Sequence, residues 1–268
     1  MPRRAFTLIE LLVVVAIIGL LSAVATVATN TARDKARIAA GQSFGAQISR
    51  TIGAEMMGSW SFDECSGTTF SDSSGNGNSG SLGAGATFST NTPLKNGCSL
   101  AFNGSGNAAT AGKPYPNGVT ISLWMNTTNM AAQQALYGQN NAPNFLNIWM
   151  PGNGTIRFET ANGSSMYSNK VLLANTWYHI VMTYDPAAAS GKAKIYIDGA
   201  FDSKADLTYS AASAGTTILI GAFLPGQYFF NGYIDNVQVY GSALVASEIH
   251  KLYAQGQAAH KNALASVQ

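Results

Sequence analysis

Charge is scarce in this chain. Only 10% of its 268 residues are Asp, Glu, Lys or Arg, less than half of the usual ~25%. The net charge of +2 is also divided unevenly. Residues 1–58 carry six basic and three acidic side chains, and the rest carry nine and ten. The larger part therefore stands at −1 with no basic cluster, which excludes the electrostatic footprint of a nucleic-acid binder. Cysteine is nearly absent: Cys65 and Cys98 are the only two. A disulfide-dense scaffold and a four-cysteine zinc site are thereby excluded. The three histidines, His179, His250 and His260, form no pair at ligand spacing, and H-x-x-E does not occur. Metal-assisted hydrolysis has no basis in such a sequence. Past residue 58 the glutamates Glu64, Glu159 and Glu248 stand alone, whereas a retaining glycosidase needs two carboxylates about 5–5.5 Å apart. The expectation is a protein that is not an enzyme.

What is present is apolar and small. Hydrophobic residues make up 46% of the chain, with 28 Gly, too much core material for a disordered polymer. Polarity comes mainly from Ser, Thr, Asn and Gln, which suits an extracellular surface. Apolar character is densest in Phe6–Ala28, about the ~20 residues that span a bilayer as a helix. Arg3 and Arg4 precede it and keep the short tip cytoplasmic. Ala23-Val24-Ala25 would serve as a signal-peptidase site. A plain anchor does not account for Glu10, since a carboxylate at that depth costs about 2–3 kcal/mol unless it is paired.

Ala5-Phe6-Thr7-Leu8-Ile9-Glu10-Leu11-Leu12-Val13-Val14 resembles the processing site and first helix of a type IV pilin or pseudopilin precursor. The resemblance covers about residues 1–57. It implies cleavage by prepilin peptidase between Ala5 and Phe6, then N-methylation of Phe6. It also gives Glu10 the role of pairing with the N-terminal amine of a neighbouring subunit during assembly. Ala5 stands where the family usually has Gly. Residues 29–57 contain no Pro, and Ile38, Phe44 or Ile48, Ile52 and Met56 recur at helical spacing. A single helix over 6–57 would be about 78 Å long.

From Ser59 onward short apolar or alternating runs are separated by Gly/Asn/Ser clusters. Strands are expected at Ser59–Asp63, Ser99–Asn103, Thr120–Asn126, Ala135–Gly138, Phe145–Trp149, Thr155–Thr160, Trp177–Tyr184, Ala193–Ile197, Thr216–Gly221 and Gly232–Tyr240. Asp198-Gly199 is the strongest hairpin signal. A short helix is expected at about Ala246–Ala254, followed by a frayed tail. Cys65 and Cys98 each end a candidate strand. In an oxidising exterior a bridge between them would contribute roughly 3–4 kcal/mol; two buried free thiols are the alternative.

Trp60-Ser61-Phe62-Asp63-Glu64, Thr120-Ile121-Ser122-Leu123-Trp124, Trp177-Tyr178-His179-Ile180-Val181, Tyr196-Ile197-Asp198-Gly199 and Gly232-Tyr233-Ile234-Asp235-Asn236-Val237 resemble, in order, the laminin-G-like, concanavalin-A-like lectin/glucanase domains. The resemblance spans about 59–253. Val245 replaces the Ser that usually caps the last helix. The family's calcium site implies a candidate Ca2+ site at Asp72 and Asp235, with Asn76 and Asn78 as lesser ligands; the plain alternative is an Asx turn and a strand-edge cap. His179 is expected to be structural. Trp149, Tyr167, Tyr228, Phe229 and Phe230 lie near turn-rich segments and are candidates for a sugar-stacking platform.

The expected fold is α+β in two parts: a long N-terminal transmembrane and assembly helix, then an antiparallel β-sandwich of laminin-G/concanavalin A-like jelly-roll type. The expected divisions are a leader at 1–5, the pilin helix at 6–57, the sandwich at 58–254 and a tail at 255–268. The expected function is a type IV pilin-like filament subunit that displays a lectin-like head for adhesion to glycans or surfaces. A pseudopilin of a type II secretion-like machine and a secreted lectin-like protein are the alternatives. Implied partners are identical subunits, prepilin peptidase, the bacterial inner membrane before assembly, and carbohydrate or a cell surface outside.

Overall fold

The computed structural model of the chain describes residues 9, 11–13, 15–17, 55–93, 97–111, 118–141, 144–160, 164–209, 217–223 and 227–265. Two compact units divide at residues 51 and 52. In the first, Ile9, Leu11–Val13 and Val15–Ile17 are helical, with exposed apolar side chains. Ala5, Phe6 and Glu10 lie outside the described residues. Among the described residues no helix is long and apolar enough to cross a membrane.

The second unit is a sandwich of antiparallel strands. Sheet A contains β1 (Met56–Trp60), β4 (Ala86–Ser89), β5 (Ser99–Asn103), β7 (Val119–Thr127), β12 (Tyr178–Tyr184), β13 (Ala193–Ile197), β14 (Ala200–Ala205) and β16 (Asn231–Tyr240). Sheet B contains β2 (Thr69–Phe70), β3 (Gly80–Leu82), β6 (Ala108–Ala111), β8 (Gln133–Asn141), β9 (Asn144–Pro151), β10 (Arg157–Thr160), β11 (Ser165–Tyr167) and β15 (Thr217–Ile220). Sheet A is ordered β14-β13-β12-β7-β16-β5-β4 with β1 also on β16; sheet B is ordered β11-β10-β9-β8-β15-β6-β3-β2.

Period-2 alternation builds the core. Val119, Ile121, Leu123 and Met125 of β7 point inward with Ile180 and Met182 of β12 and Ile195 of β13, and meet Leu146, Ile148, Phe158 and Ile218 from sheet B. Burying each such side chain contributes about 1.5–3 kcal/mol. The other face of β7 is buried too, because helix α1 (Ala246–Ala265) lies over it. Tyr253 stacks on Trp124 at 5.8 Å between centroids.

All ten expected strands form, Ser99–Asn103 and Ala193–Ile197 with the expected bounds and the others with shifted ends. The N-terminal helix does not reach residue 57, since Met56 already pairs with Tyr240 in β16. Its apolar side chains fit a sheet edge as well as a helix face, and pairing with β16 decides between them. The chain past Ala254 is also not a frayed tail: α1 continues to Ala265. Its missing Ser cap is offset by Glu248, whose Oε2 accepts the Val245 N–H at 2.9 Å, the reciprocal half of a capping box. The expected Asp-Gly hairpin forms, with Asp198 at φ 54 and Gly199 at φ 75 joining Ile197 to Ala200.

Candidate functional site

The expected calcium residues separate into two places. In the 72–79 loop, Asp72 accepts backbone N–H groups from Ser59 at 3.0 Å, Ser74 at 2.9 Å and Asn78 at 2.9 Å. Burial acts to raise its pKa, but the Ser74 hydroxyl and these amides outweigh it and hold the carboxyl below its ordinary value. Asn76 and Asn78 donate side-chain N–H groups to the carbonyls of Met56 and Met57, both at 2.8 Å. Trp60 donates its indole N–H to the Asn78 carbonyl at 2.8 Å. Together these bonds pin the loop to β1.

Asp235 sits where β16 changes partners. Asn231–Ile234 pairs with β5 along one edge and Val237–Tyr240 with β1, and the pairing with β7 bulges between Asp235 and Gln238. Asn236 takes φ 47 at this bulge. The Asp235 side chain is 2% exposed, and its Oδ1 accepts the Asn236 N–H at 2.7 Å. Burial pushes its pKa up to about 8, with the nearby Asp63 charge adding to the rise. Asp63 in turn accepts the Cys98 N–H at 3.2 Å, and Cys98 is bonded to Cys65. The bridge thus ties the exit of β1 to the entry of β5, beside the bulge. Backbone amides occupy both oxygens of Asp72, whereas Asp235 and Asp63 are the two carboxylates that act on each other at the bulge. Among the described residues no group of three or more His, Cys, Asp or Glu side chains is arranged to hold a metal.

The three glutamates also part company. Glu64 accepts the Ser71 N–H at 2.7 Å, Glu159 pairs with Arg157 at 2.7 Å, and Glu248 caps α1. His179 is buried under α1, its Nε2 2.8 Å from Ser122 Oγ. Burial lowers its pKa to about 4 against the opposing pull of Asp198, so it is neutral near pH 7. Beside it lies a cavity of about 210 Å³ lined in part by Trp124, Gln238 and Gln255.

The remaining feature is on the outer face of sheet B. Arg157 lies opposite Trp149 in β9 and Tyr167 in β11, and Glu159 lies opposite Asn147. Because Leu146, Ile148 and Phe158 face the core, these alternate residues must face outward. The Arg157 guanidinium stacks between rings, 4.8 Å from the Trp149 centroid and 5.5 Å from that of Tyr167. Residues 221–223 and 227–230 lie over this face. Phe223 and Tyr228 approach Trp149 at 6.3 and 5.8 Å between centroids. Gly138 permits the close passage, since a Cβ there would lie 2.8 Å from the carbonyl oxygens of Ala222 and Phe223. Trp149, Arg157, Glu159, Phe223, Gln227 and Tyr228 enclose about 290 Å³. Of the five expected platform aromatics, Trp149 and Tyr228 meet here and Tyr167 flanks Arg157, whereas Phe230 is core. No local pattern marks Arg157 or Phe223, because strand register and a long connection bring them in.

Residues 102–250, more than half of the chain, match the Concanavalin A-like lectin/glucanases superfamily. The chain belongs to this superfamily. Residues 1–26 match the prokaryotic N-terminal methylation motif, as the Phe6–Glu10 stretch led one to expect. No curated protein matches the chain. Among solved structures, domain 4 of AbnA, a GH43 extracellular arabinanase from Geobacillus stearothermophilus in complex with arabinotriose, is 18% identical. That match covers 74% of this chain and 98% of that one, with a TM-score of 0.61. The botulinum neurotoxin serotype G binding domain is 19% identical over 74% of this chain and 50% of that one, with a TM-score of 0.59. The serotype D/C binding domain is 15% identical over 76% and 53%, with a TM-score of 0.61. This chain thus spans about half the length of those neurotoxin domains. At these identities the likeness is one of fold.

Proposed function

We propose that this protein is a type IV pilin-like subunit of an extracellular filament, with a carbohydrate-binding head. The carrying observation is the union, in one chain, of an N-terminal methylation motif at 1–26 and a concanavalin A-like unit. Prepilin peptidase cuts between Ala5 and Phe6, and the Phe6 amine is methylated. The apolar stretch holds the subunit in the inner membrane and then packs against its copies in the filament. Glu10 pairs with the amine of the neighbouring subunit, which neutralises a carboxylate that would otherwise be costly in an apolar core. The head stands outward. A neighbour of the same fold captured with arabinotriose supports carbohydrate as its ligand class.

Mass spectrometry of the mature N-terminus tests this reading: methyl-Phe6 is expected, while a chain beginning at Thr26 would identify a secreted lectin-like protein. Glu10→Ala is expected to abolish assembly while leaving the head folded. Surface filaments containing the labelled subunit are expected by electron microscopy; methyl-Phe6 with the subunit confined to the envelope would point to a pseudopilin.

A second reading concerns Ca2+. The buried Asp235 carboxylate beside Asp63 favours a hard cation bound by this pair, with the Asp72 loop bracing β1 nearby. Bound calcium would neutralise the two acids and lock the bulge of β16. Melting of the protein is expected to rise with calcium and fall with chelator, and Asp235→Asn is expected to erase the difference.

A further inference from the structure

The cavity on the outer face of sheet B combines aromatic walls, a neutralised ion pair and unsatisfied polar atoms. Trp149, Phe223 and Tyr228 supply three rings around about 290 Å³, at the small end of ligand sites. Tyr228 is 40% exposed, and it is held at the rim in a left-handed conformation, φ 55, while its carbonyl accepts the Ala135 N–H at 2.8 Å. A large aromatic ring kept at a cavity mouth in a conformation that costs energy marks a site with a use. Arg157 spends its charge on Glu159 at 2.7 Å, so the cavity offers an anion no net attraction.

Two buried donors in the cavity wall have no hydrogen-bond partner among the described residues: the Trp149 indole N–H and the Arg157 Nε–H. Buried groups of this kind are normally paired. They call for a ligand that carries acceptors, while the Glu159 carboxylate in the same wall calls for donors. An apolar ligand would leave both donors unsatisfied. A carboxylated or phosphorylated ligand would find Glu159 already compensating Arg157. A neutral sugar ring meets all the requirements, with C–H faces for the rings of Trp149 and Tyr228 and hydroxyls that donate and accept.

We propose that this cavity is a binding site for one or two units of a neutral saccharide, stacked against Tyr228 and Trp149 and hydrogen-bonded to Gln227 and the Arg157–Glu159 pair. The proposal rests on the reading of the head as a carbohydrate binder and assigns where and what it binds. The test applies the full-length protein, in detergent, to an array of neutral and of sialylated or uronic-acid oligosaccharides. Titration of the strongest binder follows, read by tryptophan fluorescence. Binding to neutral oligosaccharides is expected, with Tyr228→Ala and Gln227→Ala each weakening it about tenfold or more. Phe201→Ala, an exposed ring on sheet A, is expected to bind as the unmodified chain does. Unchanged binding by the Tyr228→Ala and Gln227→Ala proteins would overturn this site while leaving a carbohydrate-binding head intact. Preference for the acidic glycans would overturn the neutral assignment. Failure of the folded protein to bind any saccharide on the array would overturn both this site and the carbohydrate reading.

Discussion

Asp235→Asn separates two energetic states of the sandwich. In the unfolded chain the carboxyl titrates near 3.8, and in the folded head burial and Asp63 raise it to about 8. Between these values the folded state holds a proton that the unfolded state has released, so raising the pH favours unfolding. The effect is about 1.36 kcal/mol per pH unit, or up to about 4 kcal/mol by pH 7 in calcium-free buffer. His179 acts in the opposite sense. Its folded pKa of about 4 lies below the 6.5 of the unfolded chain, so its contribution is complete above 6.5 and is lost as pH falls towards 4. From about pH 4 to 6.5 the two slopes oppose each other; from 6.5 to 8 Asp235 acts alone. Denaturant unfolding of the 52–268 unit, in chelator, should therefore show stability falling over pH 6.5–8. Asp235→Asn, which removes the acid but keeps its size, should flatten that slope and be the more stable protein at pH 7.5. Calcium should flatten the slope in the unmodified protein and do nothing for the variant. An Asp235→Asn protein destabilised equally at every pH, with and without calcium, would refute both the raised pKa and the cation.

Two other outcomes follow from the geometry. Cys65 and Cys98 are bonded across a sequence separation of 33, so Cys65→Ser/Cys98→Ser should lose about 3–4 kcal/mol by loop entropy. For a domain of this size that is a fall in Tm of roughly 6–16 °C, measurable by calorimetry; a shift of a degree or two would mean the bridge does not restrain the unfolded chain. Gly199→Ala should cost about 1 kcal/mol or more, because the turn needs φ 75 and a Cβ would lie 2.9 Å from Tyr253. Near-UV circular dichroism should report a loosened Trp124–Tyr253 stack, and an unchanged spectrum and Tm would contradict the close approach of α1.

The sequence by itself determined the two-part plan, because each part rests on local physics. A contiguous apolar run with one acid announces the N-terminal motif, and period-2 alternation announces strands such as Val119–Thr127, whose inward set is core. Asp198-Gly199 announced its hairpin because both turn residues must take positive φ. Short strands such as Thr69–Phe70 and Ala108–Ala111 are not legible in the sequence, since neither is long enough to show alternation and only a neighbouring strand makes them β. Met56 likewise joined a strand only because β16 presents an open edge to it. Tertiary structure alone decided the sites. Asp63 and Asp235 are far apart in sequence and come to bear on each other where β1 and β5 abut along β16. Arg157 reads in sequence as one more surface charge; register sets it between Trp149 and Tyr167. Long-range pairing selects which side chains share a face, and that selection is not written in the spacing of any single segment.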